Sequence, residues 1–84
     1  MNRRVVLSNL REAHEELSRV IQECQTKRGF GEAELSVALM HLYHHINFAW
    51  NARDAAELRA RRCSTRDFKA WSRYPKDLLP LGVE

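Results

Sequence analysis

The stretch "QTKRGFGEAEL", residues 25–35, decides the architecture. It sets two glycines between two segments of helical periodicity, so one helix must end within it and another begin. Gly29 suits the left-handed conformation that closes a helix, with Lys27 and Arg28 facing the negative end. Gly31 then serves as an N-cap, and Glu32 and Glu34 occupy the positive first turn. Phe30 and Leu35 stand at the positions of a hydrophobic staple. A connection this short returns the second helix antiparallel to the first.

Upstream of the break, Val6, Leu10, Leu17, Val20, Ile21 and Cys24 recur at helical separations. They predict one apolar face of a helix over about residues 3–25, with the turn at 26–31. Asn2 and Asn9 both suit its N-cap, and Asn2 gives the favoured earlier start. Downstream, no glycine or proline falls between Glu32 and Arg62. The expectation is one long helix, about 32–62, spanning roughly 45 Å. Ser64 caps a short helix of about 65–72 with Asp67 at its third position, and an irregular tail of 73–84 follows. Pro75 ends the regular structure, and Leu78, Leu79 and Leu81 give the tail apolar surface to bury. The expected fold class is all-α: a single 1–84 helical domain, built as an antiparallel hairpin with a long second helix.

Composition agrees. With 44% hydrophobic and 30% charged residues, three Gly and two Pro, the chain is too apolar for disorder. Its 84 residues bury only about 60–65% of the unfolded surface, so further burial against a partner is expected. Two cysteines, Cys24 and Cys63, lie too far apart in such a hairpin to bridge and read as reduced thiols. Cys63, between arginines and a helix N-terminus, is expected to have a lowered pKa. The opening "MNRRVVLSNLREAHEE" meets charge too soon for a signal peptide. Nothing approaches the roughly twenty apolar residues of a membrane span. The expected setting is cytoplasmic, without membrane contact.

At about 100° per residue, Leu35, Leu39, Leu42, Ile46 and Ala49 form the stripe that meets the first helix. Apolar character continues on both sides of it. His41, His45, Phe48 and Ala52 extend one flank, and Tyr43 and Trp50 the other. One antiparallel neighbour covers an arc of only about 100°. The tail, with Phe68, Trp71, Tyr74 and its leucines, can fold back over one flank, and a second hairpin can cover the other to close a four-helix bundle. A homodimer is the expected assembly, with another protein or a monomer closed by its own tail as the alternatives. The interface is therefore expected at His41, Tyr43, His45, Phe48, Trp50 and Ala52. The function expected from this pattern is a small non-enzymatic interaction or regulatory module, with no cofactor.

Two other readings compete. His14, His41 and His45 fall in one layer of the hairpin and are the candidate metal ligands. However, "HEELS" has Ser18 where a zinc-protease helix has its second histidine, and no Glu-x-x-His pair is present. Neutral histidines at a seam would also make association sensitive to pH near 6.5. The other reading concerns residues 53–84, which carry eight basic and five acidic side chains. Arg59, Arg61, Arg62, Arg66, Lys69, Arg73 and Lys76, interleaved with Trp71, are candidates for nucleic-acid contact. "RGFG" lacks the spacing and lysine of a phosphate-binding loop, and no catalytic triad is legible.

Overall fold

The computed structural model describes residues 1–79 and 81–82. It is all-helical, with α1 Arg3–Thr26, α2 Glu32–Asn51, α3 Glu57–Arg62 and α4 Thr65–Ser72. Among the described residues no helix is long and apolar enough to cross a membrane. Pro80, Val83 and Glu84, part of the tail expected to be irregular, lie outside the described residues.

Asn2 caps α1: its Oδ1 accepts from the Val5 amide at 3.3 Å. Asn9, the competing cap, lies inside the helix and donates to the Val5 carbonyl at 2.9 Å. The exit from α1 differs from expectation. Lys27 is extended at φ −83°, its amide bonds to the Glu23 carbonyl, and Gly29 does not take a positive φ. The turn is closed instead by the Phe30 amide donating to the Lys27 carbonyl at 3.2 Å. On the far side, Glu34 Oε1 accepts from the Gly31 amide at 3.1 Å, which holds the entry to α2.

The long helix expected over 32–62 is broken. α2 ends at Asn51, the chain bends through residues 52–56, and α3 starts at Glu57. No proline or glycine marks this break, because its cause is tertiary. The N-terminus clamps the bend: the Asn2 amide donates to the Arg53 carbonyl, and Asn2 Nδ2 to the Ala55 carbonyl at 3.0 Å. Glu57 is ion-paired to both Arg4 and Arg61. The Arg53 side chain donates to the Trp50 carbonyl at 2.7 Å, and its own amide reaches the same oxygen at 3.3 Å, so Arg53 closes the end of α2 twice.

Breaking the helix lets the chain fold back on itself. Val5, Phe48, Ala52 and Trp71 form the core cluster, with Ala55, Ala60 and Cys63 packed against it. A second buried region is the α1–α2 seam, where Ala13, Val20, Ala38, Leu42 and Ala49 are buried. Three of these are alanines, which let two helices approach closely. Their position explains why α1 sits toward the alanine side of α2 rather than over its largest aliphatics.

Candidate self-association face

The hairpin has two flanks, and α4 covers only one. Ser64 caps α4 by accepting from the Asp67 amide at 3.1 Å, so a short helix starts where its inner face meets Phe48. Phe48 packs edge-on against Trp71 and Phe68, with ring centroids 5.8 and 5.5 Å away. Asn47 and Asn51, one turn apart on α2, donate to the carbonyls that α4 leaves unbonded at its C-terminus. Asn47 reaches the Ser72 carbonyl at 2.9 Å; Asn51 reaches those of Trp71 at 3.0 Å and Arg73 at 2.7 Å. Asp67 holds Arg59 in a two-pronged pair at 3.1 and 2.7 Å, which ties α4 to α3 and lowers its carboxyl pKa.

This docking corrects the expected interface. Phe48 and Ala52 are buried under the chain's own α3 and α4 and are not presented outward. Trp50 is half-buried: its indole donates to Asp77 at 3.0 Å while Arg53 lies 3.9 Å over its ring. His41 and His45 share the α4 flank, and Tyr43 stands exposed on the other. In the tail, Pro75 is buried, whereas Leu79 and Leu81 are exposed.

The histidines are similarly redistributed. His41 faces Glu16 at 3.7 Å and His45 faces Glu12 at 3.1 Å, both across the α1–α2 seam. The second contact is close without being a hydrogen bond, because the buried His45 Nδ1 finds no partner in suitable geometry. His14 is exposed on α1 and does not join them. Among the described residues no group of three or more His, Cys, Asp or Glu is placed to hold a metal ion. His44 is the unexpected member. It stacks between Phe48 at 4.4 Å and Phe68 at 5.1 Å, and burial, then the neighbouring His45, pushes its pKa down. Cys63 moves opposite to expectation: burial and then Asp67 raise its thiol pKa, and it takes a left-handed φ of 39°.

The open flank is the one α4 does not reach. On α1, Leu10, Leu17 and Ile21 are 46–50% exposed, although all belong to the apolar face. On α2, Leu35, Leu39 and Ile46 are 38–49% exposed, and Tyr43 is 59% exposed. At about 100° per residue each set lies on the same rotational side of its helix's buried seam. In an antiparallel pair those sides form one surface. Leu10 and Ile46 accordingly line a common groove of about 370 Å³ together with Val6, Ala49, Trp50 and Leu78. The sequence pattern assigned Leu35, Leu39 and Ile46 to the α1 contact. The rotation of α1 toward the alanines leaves them half uncovered.

Of the basic residues considered for nucleic acid, Arg59 and Arg61 are engaged by Asp67 and Glu57, and Trp71 is buried. Arg62, Arg66, Lys69, Arg73 and Lys76 are exposed. No protein-family model matches the chain, and no curated protein or solved structure matches it either.

Proposed function

We propose that the protein is a small helical interaction module that self-associates through the open flank of the α1–α2 hairpin. The observation that carries this reading is the continuous row of half-exposed aliphatics, Leu10, Leu17 and Ile21 beside Leu35, Leu39 and Ile46. A twofold pairing of this surface completes a four-helix bundle.

The magnitudes favour a second copy as the occupant. Fully burying an aliphatic or aromatic side chain is worth roughly 1.5–3 kcal/mol. With Tyr43, seven half-exposed side chains from each of two protomers would contribute about 10–20 kcal/mol. Association opposes this with a cost of about 4–15 kcal/mol. The midpoints leave roughly 6 kcal/mol, a dissociation constant of tens of micromolar. A module of this affinity exchanges partners readily, which suits a regulatory or adaptor role.

The test is Leu17→Glu, which sets a charge at the middle of the face without touching the core. Light scattering should show the wild type approaching twice its monomer mass of 9.9 kDa and the variant holding near it, with unchanged helix content. Equal masses for the two proteins at all concentrations would refute the face.

A further inference from the structure

Among the described residues, the four acids beyond residue 52 are engaged elsewhere in the molecule. Asp54 pairs with the N-terminal amine and Arg53, Glu57 with Arg4 and Arg61, Asp67 with Arg59, and Asp77 with Arg53. Arg62, Arg66, Lys69, Arg73 and Lys76 are all exposed, and none of them is in an ion pair among the described residues. Arg66 adjoins Asp67, but that carboxylate already holds Arg59.

Arg66 and Lys69 lie about 60° apart on α4, and Arg73, the residue that ends it, follows four positions after Lys69. They stand opposite Phe68 and Trp71, the side that meets Phe48. The stripe is about 10 Å long, a short line of positive charge that a nucleic-acid backbone can follow. At its C-terminal end Arg73, Tyr74 and Lys76 share a shallow cleft of about 260 Å³ with Asn51, Ala70 and Asp77. Tyr74 is 49% exposed there, flanked by two cations. Asp77 in the same cleft is held by Trp50 and Arg53.

We propose that the outer face of α4 binds single-stranded nucleic acid. Arg66, Lys69 and Arg73 would contact consecutive phosphates, and a base would stack on Tyr74. A positive groove beside an aromatic platform is the recurring chemistry of single-strand recognition. An anionic membrane fits less well, because Trp71 is buried and Phe68 packs on Phe48, which leaves only part of one ring on α4 to insert. Duplex DNA would use the stripe but not the ring.

Fluorescence anisotropy of the full chain with a labelled oligo-dT of about twenty nucleotides tests this. Three phosphate contacts on a single strand predict an affinity loss of roughly 20-fold between about 50 and 200 mM salt. The triple variant Arg66→Gln, Lys69→Gln, Arg73→Gln should bind more than about tenfold more weakly. Tyr74→Ala should lose about tenfold on its own. Removing the same charge elsewhere, by Arg11→Gln, Lys27→Gln and Arg28→Gln, should change binding by less than about threefold. All these positions are exposed, so circular dichroism should show native helix content in every variant. No binding at low salt overturns the proposal. So does tighter binding to the matching duplex, or to phosphatidylserine vesicles, than to the single strand. Equal losses in the two triple variants would also overturn it, because they would mean diffuse attraction and no site.

Discussion

At the residue scale, the two positions that matter most are asparagine and histidine side chains whose roles depend on distant chain. Asn2 closes α1 and clamps the bend between α2 and α3 at the same time. Loss of an N-cap costs about 1 kcal/mol, and the second contact should raise the cost of Asn2→Ala to about 1–2 kcal/mol. In a domain of this size that is a fall of roughly 5–15 °C in Tm. Asn9→Ala, which removes only a bond to its own helix, should cost less in the same thermal melt. His44 supplies the pH dependence. Its folded pKa lies below the ordinary 6.5, so the unfolded chain takes up the proton first as pH falls. Its contribution to stability is full above pH 6.5 and is lost as pH falls through the lower folded value. His45 and His41 add to the depression, while Glu12 opposes it. Urea midpoints should therefore decline from pH 7.5 to 5.5, and His44→Phe should flatten that decline. An unchanged slope in the variant would remove His44 from this role. In the sequence, pH sensitivity attaches to association through His14, His41 and His45. His44, set aside there, is the histidine that packing by α4 ties to folding.

At the element scale, the helix starts at Asn2, Gly31 and Ser64 were legible, and the exit from α1 and the interior of the second helix were not. Cap chemistry is local: Asn2, Gly31 with Glu34, and Ser64 with the Asp67 amide all act within one turn. The break at 52–56 is held by Asn2, some fifty positions away, and no local pattern records it. The nearest signal was the pair Asn47 and Asn51, polar residues beside a buried aromatic, which now serve as donors to the end of α4. The first turn of α1 shows a local conflict resolved in the same way. Arg3 and Arg4 stand at the positive end of the helix, where cations are disfavoured, and Glu57 compensates by pairing with Arg4. α4 docks through its aromatic side, so Phe48→Ala should cost about 3–5 kcal/mol. Such a loss is a large share of the roughly 5–15 kcal/mol typical of a whole domain. Leu17→Ala, on the open flank, should cost about 1 kcal/mol or less when measured on dilute protein. Equal costs at the two positions in urea titrations would mean that the core and the open flank are misassigned.

In the whole molecule, the second helix has more apolar surface than one neighbour can cover, and the chain itself covers about half of the excess. α3 and α4 close the flank of Phe48 and Ala52. The flank of Leu35, Leu39 and Ile46 keeps its excess apolar surface and is continued by Leu10, Leu17 and Ile21. Residue pattern could show that apolar surface was in excess. It could not show which side would be left over, because that depends on a modest rotation of α1 toward Ala38 and Ala49 of α2. The basic stripe on α4 lies on another helix, so self-association and anion binding need not compete. The most direct test of the open flank is sedimentation equilibrium of the wild-type chain from about 1 to 500 µM at pH 7.5, a range that brackets the expected affinity. Weight-average mass should rise reversibly from one protomer to two, with half-conversion at tens of micromolar. A single protomer mass across the whole range would contradict self-association.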